Sequence, residues 1–166
     1  MLVCQVTLSR ASYCPSADES AIVRRQAFRG VSSGTGLARY RHGHTMNHFR
    51  ALVVEDDAGV SGTLCNALTR LGCRAAVVPD TQQARAELEH SRYDAVFVEL
   101  CARGEGGGRG IARWLRAHSS GTACFLVTGW KGDLEQSVLS REGVHGIIRK
   151  PLIFNEIRDA VIEHFG

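Results

Sequence analysis

Several features that would fix a function class are missing from this chain of 166 residues. No apolar run approaches the roughly 20 residues needed to cross a bilayer. The start, Met1-Leu2-Val3-Cys4-Gln5-Val6, turns polar too early for a signal peptide, whose apolar region runs about 7–15 residues. A soluble, cytoplasmic protein with no membrane partner is expected. The cysteines, at positions 4, 14, 65, 73, 101 and 124, include no C-x-x-C pair and no zinc-site spacing. Cys65, Cys73 and Cys124 sit in apolar stretches and read as small buried hydrophobes, which suits a reducing compartment. No Gly-Lys-Ser/Thr of a P-loop occurs. The cluster Gly104-Glu105-Gly106-Gly107-Gly108-Arg109-Gly110 follows an apolar run and precedes a helical pattern, but G-x-G-x-x-G begun at Gly104 ends on Arg109 and fails. The cluster reads as a flexible connection.

What is present suffices for one packed domain: the hydrophobic content is 44%. Charge is uneven. Residues 1–49 hold six arginines against Asp18 and Glu19, a net +4, while the rest of the chain is close to neutral. The basic balance therefore belongs to the N-terminal stretch, and no nucleic-acid partner is inferred for the body. Residues 1–48 mix Ser, Arg and Gly without sustained periodicity, apart from a weak helical patch at 21–28, and are expected to be a disordered basic tail. Met46 stands just before the first apolar run and is a candidate initiator, the first 45 residues then being an over-extended gene start; a genuine basic tail is the alternative. His42, His44 and His48 lack Cys or carboxylate companions and read as solvated.

Residues 49–166 alternate strand-like and helix-like patterns. Strands are expected at 50–54, 73–78, 93–98, 122–127 and 144–149. Helices are expected at 58–71, from Asp80 or Thr81 to 90, after Gly110 with Ile111, Trp114 and Leu115 inward, at 133–141, and from Ile153 or Asn155 to 165. Five such units with right-handed crossovers give an α/β three-layer sandwich around a parallel sheet.

The chemistry gathers at strand ends. Glu55-Asp56-Asp57 follow Ala51–Val54, Glu99 follows Ala95–Val98, Thr128 follows Phe125–Val127, and Lys150 follows Ile147-Ile148. In a parallel sheet the carboxyl ends of the strands open onto one rim, so these groups should share a cleft. Singly, each has a bland reading as a helix cap, a structural threonine or a loop Lys-Pro pair. Taken together and in this order, they resemble the response-regulator receiver family, the phospho-accepting domain of two-component phosphorelay signal transduction, over residues 49–166.

The resemblance implies a flavodoxin-like sheet of order 2-1-3-4-5. It implies that Glu55 and Asp56, with Glu99, correspond to the family's magnesium-binding carboxylates, hard oxygen ligands for a hard cation, bound here weakly if at all. Thr128 and Lys150 correspond to its phosphoryl contacts, and Pro151 to the proline after the lysine, usually cis. Asp57 matches a third acidic neighbour often present. The expected partner is a histidine kinase or another signalling protein, docking on the face made by the fourth helix, fifth strand and fifth helix, with Trp130 at its edge; a homodimer is also allowed.

Three departures set this chain apart. The family's acceptor aspartate is Glu99 here. The usual proline shortly after it is absent from Leu100-Cys101-Ala102-Arg103, in a connection that is also a few residues long. The aromatic switch residue three places before the lysine is Ile147. The extra methylene of Glu99 moves the carboxylate about 1.3–1.5 Å into the cleft, which spoils in-line phosphoryl transfer. The expectation is a pseudo-receiver acting by protein contact and not as an enzyme, with Glu99 either paired to Lys150 in imitation of the phosphorylated state or left as a passive metal-site residue. A relay protein phosphorylated on Glu99, Asp56 or Asp57 is the second reading, and a small flavodoxin-like enzyme or nucleotide binder the third. As no further pattern follows the last helix, a stand-alone domain is expected.

Overall fold

The computed structural model describes residues 12–13 and 49–165. Its numbered elements are β1 Arg50–Val54, α1 Ala58–Arg70, β2 Arg74–Val78, α2 Thr81–His90, β3 Ala95–Glu99, α3 Gly107–His118, β4 Ala123–Thr128, α4 Gln136–Arg141, β5 Gly146–Arg149 and α5 Phe154–Phe165. The five strands are parallel and lie in the order β2-β1-β3-β4-β5, as expected. One strand was not foreseen. Ser12–Tyr13 adds antiparallel to the outer edge of β2, with Ser12 opposite Val77 and Tyr13 opposite Ala76. It comes from the stretch expected to lie outside the fold. An edge strand needs only the free N–H and C=O groups of its neighbour, and two residues leave no periodicity to read. The other residues before Phe49, including the 21–28 patch, the three histidines and Met46, lie outside the described residues.

Strands covered on both faces should be apolar throughout, and residues 51–54 of β1 are fully buried. Ala51 and Val53 face Leu64 and Leu68 of α1 and Ile157 and Val161 of α5. Leu52 and Val54 face Ala84 of α2, Ile111 and Leu115 of α3, and Leu139 of α4. Phe97 and Phe125, opposite in register, stack with ring centres 5.0 Å apart. The three cysteines expected inside are buried, and burial pushes the thiols of Cys73 and Cys124 up, to about 11 and about 12, Asp94 adding to the effect at Cys73. Both stay protonated and inert.

The glycine cluster is not a loose connection. α3 begins at Gly107 and takes in Gly108 and Gly110. A Cβ on Gly107 would lie 2.7 Å from the Leu100 carbonyl oxygen, and one on Gly108 only 2.6 Å from that of Glu99. Glycine at these positions lets the first turn of α3 press on the end of β3, where Gly108 N–H donates to the Leu100 carbonyl at 3.0 Å. The rest of the loop lies against α2, since Thr81 N–H donates to the Arg103 carbonyl at 2.9 Å.

α4 is shorter than the sequence pattern suggests, starting at Gln136 instead of Asp133. Glu135 at its N-cap makes no capping bond, so nothing supports a further turn. Its other end is tied down. Glu142 accepts from Arg109 Nε and Nη2 at 2.5 and 2.7 Å and from Arg113 Nη1 at 3.0 Å. The Arg109 hydrogen bond is the main reason that the Glu142 carboxyl titrates below its ordinary range. A carboxyl with a depressed folded pKa stabilises the fold above its unfolded pKa, near ~4.3, and loses that contribution as pH falls through the lower folded value. Glu142→Gln should therefore cost about 0.5–1 kcal/mol in urea unfolding at pH 7. The gap between the two proteins should close below about pH 4.

Candidate functional site

Strand register builds the rim. Val54 lies opposite Val98, Glu99 opposite Val127, and Thr128 opposite Arg149, so Glu55, Glu99, Thr128 and Lys150 all fall at the carboxyl-terminal end of the sheet. Glu55 is fixed by its backbone N–H donating to Val78 at 3.1 Å, and Lys150 by its N–H donating to the Thr128 carbonyl at 2.8 Å. The Lys150–Pro151 peptide is cis.

Lys150 lies between two carboxylates. Its ammonium is 2.7 Å from Glu55 Oε2 and also bonds Glu99 Oε2. Glu55 is nearly enclosed, its side chain 5% exposed, against 17% for Glu99 and 25% for Lys150. Burial pulls the Lys150 ammonium toward a lower pKa. The hydrogen bonds and charges of Glu55 and Glu99 outweigh it and leave the group above its usual value. The remaining Glu55 oxygen accepts from Asp57 N–H at 3.2 Å, and the remaining Glu99 oxygen from Cys101 N–H at 3.4 Å.

The other sequence-derived positions divide. Asp56 pairs with Arg103 Nε at 3.1 Å across the mouth of the cleft. Asp57 caps α1, its Oδ1 accepting from Val60 N–H at 2.9 Å. Thr128 is buried, and its hydroxyl accepts from Trp130 N–H at 3.0 Å. Ile147 is half-buried and packs on the core beneath α2, α3 and α4, while Trp130 is 60% exposed. Arg103 was missed in the sequence. A lone arginine in a loop carries no signal, and only the unusual length of the β3–α3 connection hinted that something there reaches the rim.

The donor set, three carboxylates at one rim, suits a hard cation chemically. Its arrangement does not suit magnesium. Glu55 and Glu99 are spent on Lys150 and Asp56 on Arg103, and among the described residues no three His, Cys, Asp or Glu side chains are grouped as metal ligands. Of the three carboxylates expected to converge on a metal, Glu55 and Glu99 pair with Lys150 and Asp56 pairs with Arg103. Two charges close together in a partly dry cleft attract far more strongly than in water, so the ammonium is a real competitor for that space.

Comparison with known proteins matches this architecture. The family model described as the response regulator receiver domain matches residues 51–162. The chain is 29% identical over 117 residues to the transcription factor Skn7 of Saccharomyces cerevisiae, covering 70% of this chain and 18% of that protein. It is 26% identical over 110 residues to a response regulator receiver protein of Anaeromyxobacter, covering 66% of this chain and 46% of that one. The chain thus spans less than half the length of these relatives. Among solved structures, the chemotaxis response regulator CheY4 of Vibrio cholerae is similar with a TM-score of 0.63 at 16% identity, covering 69% of this chain and 97% of the other. So is the receiver domain of a sensor histidine kinase of Pseudomonas aeruginosa, solved with a magnesium ion coordinated in its active-site cleft, with a TM-score of 0.61 at 23% identity, covering 69% and 95%. At these identities the two structures establish the fold. No described helix is long and apolar enough to cross a membrane.

Proposed function

Because the chain belongs to the response regulator receiver family of two-component signalling, we propose that it is a degenerate receiver whose cleft is closed by its own side chains and which signals by protein contact. The observation that supports this is Lys150 held between Glu55 and Glu99. During phosphoryl transfer to a rim carboxylate, the lysine would have to contact the phosphoryl group and a cation would screen the carboxylates. Here the one ammonium bridges both carboxylates, offsetting one of their two negative charges, and the reach of Glu99 fills the gap. Arg103 offsets the charge of Asp56. The resulting contact imitates, without chemistry, the lysine-to-acidic-group bond of a phosphorylated rim. Ile147, a branched side chain packed into the core, does not supply an aromatic lever for a phosphorylation-driven switch.

The surface for a partner is the face between α4 and α5 over β5. A groove of about 800 Å³ there is lined by Phe125, His145, Ile147, Glu156, Ala160 and His164 among others. A histidine kinase or another signalling protein would dock on it, with Trp130 at the rim end as an aromatic anchor. A second copy of the chain is the alternative occupant.

A chemically distinct reading, a relay protein phosphorylated on Asp56 or Asp57, is favoured only by the exposure of these two residues. One experiment separates the two. The natural protein is incubated with acetyl phosphate and millimolar magnesium, and its intact mass is measured. No phosphoryl adduct is expected, and an adduct mapped to Asp56, Asp57 or Glu99 would refute the closed-cleft reading.

A further inference from the structure

We propose that the outer edge of β2 is a strand-docking site and that the chain's own N-terminal segment at Ser12–Tyr13 occupies it in cis. Ser12–Tyr13 then contribute a strand to the domain.

β2 reads Arg74-Ala75-Ala76-Val77-Val78, and apart from Arg74 it carries none of the devices that blunt an exposed edge: no further charge, no proline and no bulge. One side of this strand is satisfied by β1 along its whole length, with Arg74 to Val78 opposite Arg50 to Val54. Its other side is where Ser12 and Tyr13 pair antiparallel with Val77 and Ala76. The antiparallel direction matters. Extending the parallel sheet would need a crossover, whereas a segment that approaches from outside can add in either direction and still satisfy backbone groups.

The residues from Cys14 to His48 join this strand to the rest of the fold. A tether of that length, fully extended, reaches more than ~100 Å, so length permits pairing in cis or with a second copy. Effective concentration decides between them. A covalent tether presents its end at a concentration on the order of millimolar, and at micromolar protein the cis arrangement is favoured by about 10²–10³-fold over exchange. A two-residue pairing is also weak by itself, so the cover is reversible and the edge can open to another extended segment. Under this proposal, a chain initiated at Met46 would fold with β2 uncovered and more prone to edge-to-edge association.

The test uses the full chain. In an antiparallel pair only one of two successive residue pairs is hydrogen-bonded, so the double variant Ser12→Pro/Tyr13→Pro removes the donor whichever pair it is. Amide exchange of β2 is followed by NMR in the natural and variant chains, with oligomeric state measured by light scattering at micromolar concentration. The expected result is a monomeric natural chain, and an amide of Ala76 or Val77 that exchanges at least about five-fold faster in the variant, with β1 and β3 unchanged. Unchanged exchange at Ala76 and Val77 would overturn the proposal. So would protection that depends on dimer formation in the natural chain, because the strand would then come from a second copy. A phosphoryl adduct on the natural chain would affect the reading of the cleft and leave this result untouched.

Discussion

Lys150→Met should be the most damaging single change at the rim and the one that makes the protein sensitive to magnesium. Removing the ammonium leaves Glu55 enclosed, with only the Asp57 N–H beside it, and leaves Glu99 facing it. Breaking a buried pair from one side costs about 3–5 kcal/mol, and because Lys150 is a quarter exposed, about 1–3 kcal/mol is expected here. Sign and pH window follow from the direction of the Lys150 shift. A lysine whose folded pKa is raised stabilises fully below its unfolded pKa, near ~10.4, and loses that contribution as pH rises through the folded value. The penalty should therefore be flat from about pH 6 to pH 9 and shrink only in stronger alkali. The variant's two freed carboxylates would accept a divalent cation. Millimolar magnesium should raise the Tm of Lys150→Met by linkage and move that of the natural protein far less. Equal magnesium shifts in the two proteins would show that the ammonium does not hold the cation's place.

Glu99→Asp should turn an unreactive rim into a reactive one. The shorter side chain withdraws the carboxylate by about 1.3–1.5 Å, which separates it from Lys150 and reopens space for a phosphoryl group. A misplacement of that size costs about 10²-fold in rate, so acetyl phosphate should label the variant at least that much faster than the natural protein. Adding Arg103→Ala should raise labelling further, because it releases Asp56 from its pair. Intact mass over time reads both effects. Equal labelling of natural protein and Glu99→Asp would mean that side-chain length at position 99 is not what closes the site.

The sheet and the rim were legible in the sequence because both follow from short-range rules. Short apolar runs such as Ala51–Val54 and Phe125–Val127, set between helical patterns, read as strands buried on both faces, and the polar residue that ends each run falls on the rim by parallel topology. What was not legible depends on which side chain finds which partner. Lys150 meeting Glu99 was one of two readings of the same residues, whereas Lys150 meeting Glu55 and Arg103 meeting Asp56 were not foreseen. These pairs join residues 95 and 47 positions apart, and no periodicity links them. The glycine cluster was misjudged as flexible because composition does not distinguish a glycine needed for freedom from one needed for close approach. Here Gly107 and Gly108 serve the second purpose. The short α4 escaped because its apolar spacing continues through Leu134, which does pack on the core but from outside the helix.

The closed rim is tested most directly by a double-mutant cycle on Glu99 and Lys150. Glu99→Gln, Lys150→Met and the double variant are unfolded in urea beside the natural protein. If Lys150 is held between Glu55 and Glu99, the two changes share one interaction, and the cycle should give a coupling of about 0.5–3 kcal/mol. Effects that add to within about 0.3–0.5 kcal/mol would contradict it and leave Glu99 uncoupled from Lys150 at the rim.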